Sequence, residues 1–156
     1  MSKRALQAVV LPFGVLPVVT GLLAVTGGPA GMLVAQRTNS TVDSEVRFMA
    51  VYWLAYGVFV LRLVPRIAHA GGAFRAALVV MFGSGLARLL SILEVGRPHP
   101  VLFAATFVEL LLPPVLWWWQ AAVAAAATRP PAKIERDNGG SDHGISDADE
   151  RQPAAR

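Results

Sequence analysis

Residues 6–26, LQAVVLPFGVLPVVTGLLAVT, hold no charged side chain, and the uncharged run extends from Arg4 all the way to Arg37. At about 1.5 Å of rise per residue, a helix over 6–26 is long enough to cross the roughly 30 Å hydrocarbon core of a bilayer. Pro12 and Pro17 lie inside it. Membrane helices tolerate proline where neighbouring groups satisfy the freed carbonyls, so a kink is predicted rather than a break. Lys3 and Arg4 would also suit the start of a signal peptide. The apolar run is longer than an ordinary h-region, however, and Val25-Thr26-Gly27 is a poor cleavage site, so 6–26 is read as a first membrane span.

Composition agrees with that reading. The chain has 156 residues, 54% of them hydrophobic and 15% charged, with a mean hydropathy of +0.51, which favours bilayer over water as the solvent. Of the charged residues, eleven fall from Arg129 onward, which leaves residues 1–128 very apolar. Residues 1–128 carry nine Arg and Lys against four Asp and Glu, so the positive excess belongs to the membrane part. These basic residues sit singly between apolar runs, not in a stripe interleaved with stacking aromatics, and this excludes nucleic acid as a partner. With no cysteine, disulfides, thiolate metal sites and thiol nucleophiles are excluded too.

Three further spans follow. Gly27-Gly28-Pro29 ends the first helix, and a polar loop is predicted to run to Val46, with a short surface helix over Gly31 to Gln36. Asn39-Ser40-Thr41 matches a glycosylation sequon, a pattern short enough to carry little weight. The second span is read over 48–64, with Tyr52, Trp53 and Tyr56 as amphipathic rings and Arg62, Pro65 and Arg66 closing it. Gly71-Gly72 is read as a tight connection to a third span over 74–93. There Gly83, Ser84, Gly85 and Ala87 form a notch of small residues that lets another helix approach. After a turn over Glu94 to Pro100, the fourth span covers 101–119, anchored by Trp117, Trp118 and Trp119, and helix continues through Ala121 to Ala127. Pro113 and Pro114 mark a static kink within it. Residues 129–156 lack apolar periodicity and are read as a disordered tail. The predicted fold is therefore all-α: a four-helix transmembrane bundle over 1–128 with a disordered C-terminal tail.

Sidedness follows from the positive residues. Lys3, Arg4, Arg62, Arg66, Arg75, Arg129, Lys133 and Arg136 fall on one side, against Arg37, Arg47 and Arg97 on the other. Both termini are expected in the cytoplasm, and the protein in the cell (inner) membrane as a multi-pass protein.

Within this topology two charges lie deep. Arg88 is about 9 Å inside Glu94, and Glu109 about 13 Å past Pro100, at the helical rise. A charge at mid-bilayer costs on the order of 3 kcal/mol, so the two are expected to pair between spans three and four. Ser84 and Ser91 share the Arg88 face at helical spacings, and Tyr52 and Tyr56 are candidate donors into the same cluster. Glu45, Arg47 and Arg97 form the polar outer face. His69, His99 and His143 lie in separate polar segments without metal-ligand spacing and are read as solvated, so neither metal nor cofactor is assigned.

The stretches Asp43-Ser44-Glu45-Val46-Arg47-Phe48, Gly85-Leu86-Ala87-Arg88-Leu89-Leu90-Ser91, Gly96-Arg97-Pro98 and the single Glu109 are similar to those of the DUF4345 family, small bacterial membrane proteins of unknown function. The resemblance runs from about the first span to Trp119. It implies four spans with their polar residues gathered at one end, and no activity, substrate or cofactor.

Two functions remain in view. The first is a non-enzymatic accessory or interaction protein that packs in the bilayer with a membrane protein partner or with itself as a homo-oligomer. The second is a small-molecule or proton-coupled carrier with its polar site at Arg88 and Glu109. A membrane enzyme ranks third, because no pairing of nucleophile and base is visible. A carrier would open Glu109 to water, whereas an interaction protein would bury it and expose small residues on the bundle's exterior.

Overall fold

The computed structural model describes residues 2–32 and 38–128. They form four long helices: α1 (Lys3–Gly27), α2 (Ser40–Leu63), α3 (Gly71–Glu94) and α4 (Pro100–Ala127). Short 3-10 turns follow α1 at Gly28–Gly31 and α2 at Val64–Arg66. Each long helix has the length and apolarity to cross a bilayer. The tail over 129–156 and most of the segment read as a surface helix, 33–36, lie outside the described residues.

Consecutive helices are neighbours: α1 packs on α2, α2 on α3, α3 on α4 and α4 on α1, while the backbones of the two diagonal pairs do not approach. This is an up-down-up-down bundle made of two hairpins, α1/α2 and α3/α4, each packed along its length. Buried residues recur at steps of three and four along each seam. On α1 they are Leu6, Val10, Gly14, Pro17, Gly21 and Ala24, and on α4 Thr106, Glu109, Pro113, Leu116, Gln120 and Val123. A seven-residue repeat of this kind is the spacing of left-handed helix packing.

The first hairpin is closed by glycine. A Cβ at Gly57 would lie 2.7 Å from both the Gly14 carbonyl oxygen and the Val18 nitrogen, and one at Gly21 would lie 2.9 Å from the Leu54 nitrogen. Backbone thus meets backbone, the geometry that gives most dispersion contact where the surrounding solvent is itself hydrocarbon. At the far end of this hairpin Gly28 takes φ +58, a left-handed value suited to glycine, and its amide donates to the Ala24 carbonyl to end α1. A side chain at Gly28 would run into Asp43 and Arg47.

The two hairpins are joined chiefly at the end that holds Lys3, Arg62 and Arg75. Leu6, Val10, Val60, Phe74, Ala77, Leu78, Leu116 and Val123 form a shared core with Ile67 and Ala68 of the connection. Gln7 donates to the Val64 carbonyl at 2.9 Å, Tyr56 to the Ala77 carbonyl at 3.0 Å and Gln120 to the Ile67 carbonyl at 3.2 Å.

Two boundaries differ from the sequence reading. Helix α2 starts at Ser40, inside the segment read as loop to Val46, because Asn39 caps it by accepting from the Val42 amide at 2.9 Å and Asp43 occupies its first turn. Gly71 and Gly72 belong to α3 and are not the connection, which lies before them in residues 64–70. Helix α4, by contrast, continues past Trp119 to Ala127 as expected, with Pro113 and Pro114 inside it.

Gly57→Val should separate α1 from α2 and lower stability by about 1–3 kcal/mol, the usual size of an overpacking defect. Gly83→Ala, where a Cβ meets nothing within 4 Å, should be neutral or raise stability by up to about 1 kcal/mol through helix propensity. Thermal unfolding of the two variants in the same detergent reads the contrast.

Candidate functional site

Glu109 sits on the buried seam of α4 and is only 8% exposed. It is engaged by α3. Ser84 Oγ donates to Glu109 Oε2 at 2.7 Å, and Arg88 Nε donates to the same oxygen at 3.0 Å. Gly85 makes this approach feasible, since a Cβ there would lie 3.0 Å from Glu109 Cβ and 3.0 Å from Leu110 Cγ. Of the notch Gly83-Ser84-Gly85, only Gly85 is a packing contact. Gly83 faces outward with open space around it, and Ser84 contributes a hydroxyl.

The electrostatic logic is local neutralisation. Burying a carboxylate among apolar side chains is costly, and the adjacent guanidinium and hydroxyl offset that cost by direct hydrogen bonds. The pair is asymmetric, because the Arg88 side chain is 36% exposed and that of Glu109 only 10%. Neither Nη atom of Arg88 nor Glu109 Oε1 makes a hydrogen bond to any described residue. Chemically the arrangement can hold a fixed charge pair, and the free edge of the guanidinium can donate to one more acceptor oxygen.

Tyr56 borders the site without bonding to it. Its hydroxyl is committed to Ala77, and its ring stacks on Trp53 at 5.7 Å, while Trp53 Nε1 donates to Thr20 Oγ1 at 2.9 Å. Tyr52 and Ser91 are not part of the cluster. Tyr52 is 60% exposed and packs edge-on against Phe48, and Ser91 is exposed with no side-chain bond to a described residue. Sequence spacing placed Tyr52 with Tyr56, but of the two rings only Tyr56 turns toward α3.

The outer polar residues do not converge either. Glu45 is exposed and unpaired among the described residues, Arg97 lies 5.5 Å over the Phe103 ring, and Arg47 pairs with Asp43 at 2.8 Å. Arg47 also donates from Nη1 to the Val25 and Thr26 carbonyls at 2.8 and 3.0 Å, so it caps the C-terminus of α1 from α2. Asp43 is absent from the outer-face residues expected from sequence, although its spacing of four from Arg47 signals the pair. His99 is the N-cap of α4, accepting from the Val101 amide at 3.4 Å, His69 is exposed, and His143 lies outside the described residues.

Two buried polar groups escaped the sequence reading. Gln120 is 1% exposed and leaves Oε1 without a partner, as does the Trp119 indole nitrogen. The signal for Gln120 was its register, eleven residues past Glu109 and so on the same heptad seam.

Arg88→Met, which strands the Glu109 carboxylate, should lower stability by about 1–3 kcal/mol, less than a fully buried pair because Arg88 is partly exposed. Arg88→Met combined with Glu109→Gln should recover most of that loss, since the charge is gone and Ser84 keeps an oxygen to bond. Thermal midpoints of the single and double variants measure the coupling.

Neither the curated proteins nor the solved structures include a match to this chain. A sequence model described as domain of unknown function (DUF4345) matches residues 5–120, a stretch that takes in the four helices almost entirely and both members of the Arg88–Glu109 pair. The chain therefore belongs to the DUF4345 family.

Proposed function

We propose that this chain is a non-enzymatic interaction protein of the cell membrane that works by packing α3 against another transmembrane helix, from a partner protein or from a second copy of itself. One observation carries the reading: the deep charges are spent on each other inside the bundle, while α3 turns small residues outward. Gly72, Ala76, Gly83 and Ala87 are all exposed, at intervals of four, seven and four, and form a shallow stripe down one face of the helix. A Cβ at Gly72 or Gly83 would meet nothing within 4 Å. In hydrocarbon, stripes of this type allow the close backbone approach that drives helix association.

Sidedness belongs to the same proposal. Lys3, Arg4, Arg62, Arg66 and Arg75 gather at one end of the bundle, whereas Asp43, Glu45 and Glu94 lie at the opposite end. Under the positive-inside bias the basic end, with both termini, faces the cytoplasm.

Because the chain has no cysteine, single cysteines report cleanly. Gly83→Cys should cross-link in native membranes to one defined product, and Ala87→Leu should reduce recovery of that product about tenfold without moving the thermal midpoint. An impermeant maleimide should label a cysteine at Thr41 but not one at His69 from outside the cell. The carrier reading draws on the uncommitted Nη atoms of Arg88. It would displace the present one if Glu109→Gln abolished solute or proton flux in proteoliposomes while Ala87→Leu left cross-linking intact.

A further inference from the structure

We infer that the outward groove between α3 and α4 is a binding site for one anionic phospholipid, whose acyl chain lies in the groove and whose phosphate is held by Arg75 at the first turns of α3. The groove has a volume of about 250 Å³ and is lined by Leu78, Val79, Phe82, Pro113, Pro114 and Trp117. It is wholly apolar or aromatic along its walls. Its size suits a polymethylene chain and not a helix, which is about 10 Å across with its side chains. The groove adjoins the small-residue stripe, because its wall residue Val79 stands three residues past Ala76 and four before Gly83, whereas Leu78 and Phe82 turn away from the stripe toward α4.

The head end of the groove is defined by register. Gly71, Arg75, Leu78 and Phe82 follow at steps of four, three and four, so they share one face of α3, with Arg75 toward the basic end and Phe82 about 10 Å deeper. The Arg75 guanidinium stands 5.0 Å over the Trp117 ring, which also walls the groove. A basic group resting on an interfacial tryptophan, above an apolar slot that descends into the bilayer, matches the order of parts in a phospholipid: phosphate, glycerol, chain.

Two independent features give that end a preference for a negative, hydroxyl-bearing headgroup. Helix α3 starts without a side-chain cap, so the amides of Gly71, Gly72 and Ala73 have no acceptor among the described residues. Those amides and the helix dipole attract a phosphate. Gln120, 1% exposed, lies against Gly71 and leaves a buried Oε1 unpartnered, an acceptor that one bridging water would link to the headgroup. Around them Lys3, Arg4, Arg62 and Arg66 add positive charge, with no acidic residue among the described residues of that end. A headgroup with net negative charge gains about fivefold in affinity from one such basic contact, and one that carries its own cation gains less.

The test is native mass spectrometry of the full chain released from nanodiscs containing equal amounts of phosphatidylglycerol and phosphatidylcholine. One phosphatidylglycerol should stay bound, in at least fivefold excess over phosphatidylcholine. Arg75→Gln should bring the excess below twofold, and Arg75→Lys should preserve it. Val79→Trp, placed at an exposed groove position, should displace the lipid with no change in thermal midpoint. Equal retention of the two lipids, or indifference to Arg75→Gln or Val79→Trp, would overturn the assignment. Glycerol phosphate bound equally well would make this a soluble-anion site instead. A protein dimer released by Val79→Trp would make the groove an interface between copies.

Discussion

Two apolar helices in hydrocarbon gain little from hiding their side chains from a solvent that is equally apolar, so association depends on how closely their backbones can come. In this bundle that constraint is met by Gly14, Gly21 and Gly57 between α1 and α2 and by Gly85 between α3 and α4. Each sits on a seam where a methyl group would collide with the facing helix. The hairpins so formed are the structural units, and the rest of the architecture, including the placement of Glu109 within reach of Ser84 and Arg88, follows from how tightly each hairpin closes.

Polar groups then decide what packing alone leaves open. The bonds from Gln7, Tyr56 and Gln120 each join one hairpin either to the other or to the connecting segment, and each ends on a main-chain carbonyl. These bonds all lie toward the basic end, beside the apolar core. The charged pair has a different task, since it fixes α3 against α4 within one hairpin. Side-chain bonds between hairpins and ion pairs within them thus occupy separate levels of the bundle.

The spans were legible because their signal is coarse: a run of about twenty uncharged residues has few other uses. Arg88 and Glu109 stood out for the complementary reason, that an isolated charge in such a run demands a partner. Finer features were lost where composition and conformation disagree. Ser40 to Val46 is polar enough to read as loop, yet the Asn39 cap and the Asp43–Arg47 spacing make it the first two turns of α2. Gly71-Gly72 reads as a turn, but the preceding 3-10 segment already reverses the chain. Tyr52 and Tyr56 are one turn apart, and helical spacing alone does not say which of them meets α3. The heptad of Gly14, Gly21 and Gly28 is present in the sequence, but the aliphatic residues around it mask its periodicity.

Arg47 has a consequence for how the protein is made. The last carbonyls of α1, at Val25 and Thr26, take their donors from a side chain that is synthesised some twenty residues later. Without α2 those oxygens would have to turn to water. The C-terminal cap of the first helix is thus complete only once the second is present, which makes the hairpin and not the single helix the smallest unit with its carbonyls satisfied at that end.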